Sequence, residues 1–473
     1  MKTTRIGWRL ARLSLLLMTA GTVSAERVPD KFIPTAALKY GTASTTRIKA
    51  DELAKFDLLM VSEFHDRVWA EGDLSSWQAL KRRNPDMVVL VYQSGPILYN
   101  TAPWGRYGDW DWMLANHGPD QPLPQRWISR GEKSGKTLAG IAYPGTRVMN
   151  LANTDWLQYY WQSVHKHWWG SGRNVGADGV FADNWHYTLP YQGRYTIADT
   201  KTPDRPEEYL ANGEYDQARC TELLAASINA VVAGFNSTPE RPLLCPNFGY
   251  MEKHPEWWEA LDSSAHPPFA AMQEAGLVQR YGGGLRSFQW DTKVETMRRM
   301  KNVAVVMACH GDGLAGQGLE RLDAVDTKGN LGPGATGWDG LWFALTSFLM
   351  ALNEEKTNGY LLFTLWNYAD PYWLDEFDPT FLHLGRPLGD YQVRDGVAFR
   401  EYEDGWVVAN KTYGQNRTNL AVPGGGQARV ISHACLKNPE AAPLVSSFDL
   451  PYYRGVVLLK PGRQLGNSDN PRG

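Results

Sequence analysis

The chain has 473 residues, and its 48 Lys+Arg against 51 Asp+Glu give a formal net charge of −3. Proteins that bind phosphate backbones usually carry a basic face, so this balance argues against nucleic acid as a partner. At 43 % hydrophobic and 21 % charged residues the chain is globular rather than disordered, with room for a barrel-sized domain and a smaller second one.

Residues 1–25 read as a secretory signal. Lys2, Arg5, Arg9 and Arg12 form a basic start, Leu13 to Val23 is mostly apolar, and Val23-Ser24-Ala25 offers small residues for cleavage. Cleavage there removes four positive charges and no acid, which lowers −3 to −7 over the remaining 448 residues. An uncleaved anchor is the alternative. No later apolar run approaches the roughly 18–20 residues needed to cross a bilayer. Trp342 to Leu352 is too short and runs into Asn353-Glu354-Glu355-Lys356. The expectation is an exported protein, periplasmic or extracellular, with no integral membrane span after cleavage.

From residue 36 short apolar runs alternate with helical stretches. The expected strands are Ala36–Tyr40, Asp57–Ser62, Met87–Gln93, Asp178–Asp183, Leu243–Asn247, Ala270–Glu274, Val303–Ala308 and Tyr360–Trp366. Continuous apolar runs such as 87–92 and 303–307 suit parallel strands buried on both faces. Expected helices include Asp155–His167, Glu214–Ala233, Val294–Lys301 and Trp338–Asn353. Strand then helix, about eight times, is the count of a (β/α)8 TIM barrel, with a doubly wound open sheet as competitor. Pro96 to Ser134 then forms a long aromatic, Pro-rich loop after the third strand.

Near residue 385 the texture changes to short strand-like runs between turn residues: Gly396–Arg400, Gly405–Asn410, Asn419–Val422, Ala428–Ser432 and Val456–Lys460. They predict a small C-terminal antiparallel β domain. The expected division is a barrel over 26–390, the β domain over 391–461 and a disordered polar tail over 462–473.

The aromatic load of 20 Trp, 22 Tyr and 15 Phe clusters beside Gly, Asn and Asp, as in Trp104-Gly105, Asp109-Trp110-Asp111-Trp112, Asn184-Trp185 and Trp366-Asn367-Tyr368. Such loops suit sugars, which offer a C–H face for stacking and hydroxyls for hydrogen bonds. Core packing is the competing explanation for any single Trp. The four cysteines (Cys220, Cys245, Cys309 and Cys435) show no CxxC spacing, so free buried thiols are expected.

Functional groups of a parallel barrel gather at the C-terminal ends of its strands. In Asp178-Gly179-Val180-Phe181-Ala182-Asp183-Asn184, Asp178 begins the strand and is assigned to the barrel floor; Asp183 ends it and faces the pocket. Two strands later Glu274 ends an apolar run. Two such acids can converge as the carboxylate pair that glycoside cleavage requires, with pKa values held apart. Asn184 beside Asp183 is a donor to a carboxylate, which suits a nucleophile or base. Ala, Met and Gly around Glu274 suggest an apolar setting that suits a general acid. Other strand ends supply candidate substrate-binding residues: Glu63 and His65, Tyr92 and Gln93, Asn184 and Trp185, Asn247, and Trp366 and Asn367.

The run Asp178-Gly179-Val180-Phe181-Ala182-Asp183-Asn184 resembles the strand-four signature of hypothetical glycosyl hydrolase family 15. That family is related to the endo-α-1,4-polygalactosaminidase-type hydrolases. The likeness extends to Asn150–Tyr160, to Glu274, and to 384–389, 399–402 and 405–410. It implies a barrel with a retaining-type pair at Asp183 and Glu274. The implied substrate class is a polysaccharide, α-linked amino-sugar or galactose-containing, and no cofactor is called for.

Other signals are weaker. Gly311-Asp312-Gly313-Leu314-Ala315-Gly316 matches GxGxxG, but it follows the seventh strand rather than an early one, so it reads as a flexible βα loop. His165 and His167 fall on different helix faces, and His310 and His383 stand alone, so no metal site is expected. The reading is an exported glycoside hydrolase; the alternative is a non-catalytic polysaccharide-binding or assembly protein on the same barrel.

Overall fold

The computed structural model describes residues 32–39, 50–61, 75–99, 113, 123–140, 146–170, 176–185, 195–197, 202–211, 213–281, 284–353, 358–365, 368 and 371–466. The expected signal at 1–25 and the end of the tail lie outside them. Among the described residues no helix is long and apolar enough to cross a membrane.

Eight parallel strands form the main sheet: β1 (Thr35–Lys39), β2 (Leu58–Val61), β3 (Val88–Ser94), β4 (Gly179–Asp183), β5 (Leu243–Pro246), β6 (Ala270–Gln273), β7 (Ala304–His310) and β8 (Gly359–Thr364). They pair in the order β5-β4-β3-β2-β1-β8-β7-β6. The remaining gap closes through one parallel bridge, Asn247 to Met272, backed by Phe248 N–H to Met272 O at 3.0 Å. The result is a (β/α)8 barrel. Among the described residues six longer helices pack outside it: α1 (Ser76–Arg83), α2 (Thr154–Trp168), α3 (Gln217–Asn236), α4 (Pro255–Asp262), α5 (Trp290–Arg299) and α6 (Gly337–Ala351).

Strand alternation sorts the apolar residues into two layers. Leu38, Met60, Leu90, Phe181, Met272, Val306 and Leu362 fill the interior. Ala37, Leu59, Val91, Val180, Val305 and Met307 face the helices. All eight expected strands are present, shifted by a residue or two at their ends. The helix expected from Glu214 starts later: Glu214–Tyr215 pairs with Leu210–Ala211, and Asp216 caps α3 by accepting from Arg219 N.

The floor carboxylates are structural. Asp178 accepts from Lys81 Nζ at 3.1 Å and from Val89 N–H at 2.8 Å. Asp57 accepts from Thr35 N–H and Oγ1 at 2.8 and 3.0 Å. Of the long loop after β3, Ile97–Leu98 pairs with Arg147–Val148, and 100–112 and 114–122 lie outside the described residues.

The C-terminal unit comprises β9 (Gln392–Arg394), β10 (Val397–Glu401), β11 (Gly405–Asn410), β12 (Arg417–Ala421), β13 (Ala428–Ile431), β14 (Leu444–Val445), β15 (Ser447–Leu450) and β16 (Arg454–Leu459). Its main sheet runs β9-β10-β11-β16-β13-β14, with β12-β15 as a separate pair; every pairing is antiparallel. Helix α6 is buried almost all round because it lies between barrel and sheet. Gly455 makes the approach possible: a Cβ there would fall 2.6 Å from Trp342 O. Past the sheet, Gly466 N–H still donates to His383 O at 3.3 Å, so the tail is held that far.

Candidate active site

β4 and β6 deliver Asp183 and Glu274 to the same end of the barrel, with Asn247 between them just past β5. The Asn247 Nδ2 group donates to Asp183 Oδ1 at 2.9 Å and to Glu274 Oε2 at 3.0 Å. Those two legs cap the Oδ1–Oε2 separation at about 6 Å. Asp183 also accepts from Tyr92 Oη at 2.6 Å, Asn184 N–H at 2.8 Å and Asn184 Nδ2 at 3.2 Å. This is the partner set of an ionised carboxylate, which accepts and never donates. Gly95 lets β3 end close to this corner: its N–H donates to Asp183 O at 2.7 Å, and a Cβ would meet that oxygen and the Trp185 ring.

Glu274 is not in the apolar setting its chain neighbours suggest. The carboxylate meets polar groups from the segments just after β5 and after β8. Besides Asn247, it accepts from Tyr368 Oη at 3.3 Å. Burial first, then the nearby charge of Glu274 and the bond to it, with Asp183 and Asp312 adding, push the Tyr368 phenol well above its usual range. It stays protonated and acts as a donor. Tyr368 also meets His310 Nε2 at 3.2 Å, and that nitrogen lies 3.0 Å from the Glu274 backbone carbonyl. Nδ1 of His310 faces Asp312 Oδ1 at 3.6 Å.

A family model, hypothetical glycosyl hydrolase family 15, matches residues 81–406, more than half of the chain. The chain belongs to that family. This membership places the chain among the glycoside hydrolases, and the matched span holds the whole constellation from Tyr92 to Tyr368. A search of curated proteins finds no match. Similar solved structures include a trehalose-6-phosphate hydrolase from Bacillus licheniformis, 11 % identical over 91 % of this chain and 100 % of that one, with a TM-score of 0.43. An alpha-amylase from Lactobacillus plantarum is 11 % identical over 92 % and 98 %, with a TM-score of 0.41. A GH27 β-L-arabinopyranosidase from Geobacillus stearothermophilus is 11 % identical over 92 % and 98 %, with a TM-score of 0.45.

In this family-15 chain the other expected contact residues fall in different places. Tyr92 and Asn247 reach the carboxylates. Asn184 is buried, adopts φ 63°, and spends its side chain on Asp183 and on Tyr99 Oη at 3.1 Å, so it positions Asp183 rather than offering a sugar contact. Trp185 is 1 % exposed and donates to Ser227 Oγ at 3.2 Å; its ring packs edge-on to Tyr160. It is a core residue here, not a stacking platform. Gln93 points outward and accepts from Trp168 Nε1 at 3.4 Å. Glu63, His65, Trp366 and Asn367, with Trp104, Trp110 and Trp112, lie outside the described residues.

Three residues of the constellation escaped the sequence reading. His310 was set aside as a lone histidine, Asp312 as part of a glycine loop, and Tyr368 as one aromatic among many. A usable signal existed for the first two: both sit at the C-terminal end of a strand that the pattern located correctly. The glycine loop is no phosphate cradle. Arg321 Nη1 donates to the Asp312 and Leu314 carbonyls at 2.6 Å each, which pins the loop with its oxygens turned to a cation. Among the described residues no cluster of His, Cys, Asp or Glu could hold a metal ion.

Proposed function

We propose that this chain is an exported glycoside hydrolase that cleaves a polysaccharide with retention of anomeric configuration, using Asp183 as nucleophile and Glu274 as acid and base. The carrying observation is the single Asn247 amide group bonded to both carboxylates. It favours a separation near the 5–5.5 Å of retaining enzymes over the 6.5–9.5 Å that leaves room for an inverting water. In the first step an Asp183 oxygen attacks the anomeric carbon, the bond to the leaving oxygen breaks, and the Glu274 proton passes to that oxygen. In the second, water attacks the glycosyl ester, Glu274 takes its proton, and Asp183 leaves as carboxylate.

The division of labour follows from partners. Asp183, with donors from Tyr92, Asn184 and Asn247, is held as the charged nucleophile. Glu274, touched by Asn247 and Tyr368, keeps fewer constraints and can exchange its proton. The family resemblance supports an α-linked amino-sugar or galactose-containing polymer as substrate class. The pattern of residues 1–25 supports export.

The test is reducing-end release from α-1,4-linked galactosaminan and from a galactose-containing polymer by wild type, Asp183→Asn and Glu274→Gln. Loss of turnover by at least about a hundredfold in both variants, with unchanged circular dichroism, is the expected result. Full activity in Asp183→Asn would overturn the assignment. Glycan binding without cleavage by the wild type would favour a non-catalytic binding protein.

A further inference from the structure

The groups behind Glu274 form a chain that no part of the two-carboxylate mechanism uses: His310 to Tyr368 and Tyr368 to Glu274, with Asp312 3.6 Å from the far side of the imidazole. The hydrogens along it can be assigned. A backbone carbonyl only accepts, so the His310 Nε2 that lies 3.0 Å from Glu274 O carries a hydrogen. That same N–H faces Tyr368 Oη at 3.2 Å and donates to it as well. The phenol oxygen therefore has its acceptor side filled, and its own hydrogen is directed to Glu274 Oε1 at 3.3 Å.

The backbone under this arrangement is unusual. Tyr368 has φ 64°, a left-handed conformation that is costly for a bulky side chain. It is held there by its N–H, which donates to Thr364 Oγ1 at 3.0 Å, and by burial of its ring against the barrel interior and edge-on to His310. A strained tyrosine fixed at both ends and aimed at one carboxylate oxygen is over-determined. Core packing alone does not require it.

We infer that Tyr368, oriented by His310, is a positioning residue that sets how tightly Glu274 holds its proton. The inference rests on the reading of Glu274 as acid and base. Oε2 faces the Asn247 amide and Oε1 faces the Tyr368 hydroxyl, each arranged as a donor. There the phenol favours the charged carboxylate and eases the proton's departure to the leaving oxygen. Among the described residues the charged and titratable groups facing this corner are Asp183 from β4, Asp312 and His310 from β7 and its loop, and Tyr92 from β3 by way of Asp183.

The test needs no substrate. Protein labelled with 13C at the glutamate carboxyl is titrated by NMR from about pH 3 to 9, and Glu274 is identified by the signal missing in Glu274→Gln. Removing a hydrogen bond to the charged form disfavours that form, so Tyr368→Phe raises the Glu274 midpoint by about one pH unit. His310→Ala shifts it in the same direction, and His310→Gln, which retains an N–H near the position of Nε2, shifts it less. An unchanged Glu274 midpoint in a folded Tyr368→Phe or His310→Ala protein overturns the inference. Failure of the reading of Glu274 as acid and base shows separately, as undiminished turnover in Glu274→Gln.

Discussion

Asn247 is the residue on which the two carboxylates agree. One amide donor shared between the two carboxyl groups fixes their spacing and, whenever both are ionised, offsets part of their repulsion. Asn247→Ala removes both bonds at once. It is expected to lower kcat/KM by about tenfold to a hundredfold, the worth of one to two charge-assisted hydrogen bonds, with the fold preserved. Asn247→Asp adds a third negative charge and is expected to be worse than Ala. Equal activity of the three proteins would mean the bridge has no part in catalysis. At this scale the sequence carried the acids and, among its candidate residues, Tyr92, Asn184 and Asn247, but not Tyr368 or His310. Asp183 and Glu274 could be placed from strand ends alone, because an end is a property of a local pattern. The Tyr368 and His310 contacts join a residue past β8 and the last residue of β7 to one just past β6, and nothing local in the sequence records that meeting.

At the scale of elements, apolar runs bounded by turns were enough to locate all eight barrel strands, since a strand buried on both faces leaves a continuous hydrophobic trace. Element ends were less legible, because caps decide them: Asp216 starts α3 where propensity alone would start it earlier. Helix α6 shows what the pattern hides. Its C-terminal carbonyls are satisfied by two residues of the other domain, as Arg400 Nη1 donates to Leu349 O at 2.8 Å and Leu352 O at 2.5 Å, and Tyr402 Oη donates to Leu349 O at 3.0 Å. Arg400 is fully buried, and its Nε donates to Gly389 O at 3.0 Å. Arg400→Ala removes the donor to the Leu352 and Gly389 carbonyls, leaves Leu349 O with Tyr402, and opens a cavity, so a loss of about 3 kcal/mol or more is expected in denaturant unfolding. A change within about 0.5 kcal/mol would show that the junction does not depend on it.

For the whole molecule, stability depends on pH through groups that folding buries. Burial pushes the Glu208 carboxyl from 4.5 up to about 7, against the pull of its bond from Ser129 and the charge of Arg219. The folded state then keeps a proton that the unfolded chain loses, so stability falls as pH rises between about 4.5 and 7. Glu208→Gln abolishes that dependence. It is expected to be more stable than wild type at pH 8 by up to about 3 kcal/mol, and not at pH 4. Parallel pH profiles of the two proteins would contradict the assignment.

The barrel, its bridging closure at Asn247 and the β domain clamped on α6 serve one end: holding Asp183 and Glu274 across a short gap. The most direct test of that claim is the anomeric configuration of the first product released from an α-linked galactosaminan, read by proton NMR before mutarotation. Retention, an α-product from the α-linked polymer, is the predicted result. A β-product would mean that water, not Asp183, attacks the anomeric carbon, and the close-pair account would be wrong.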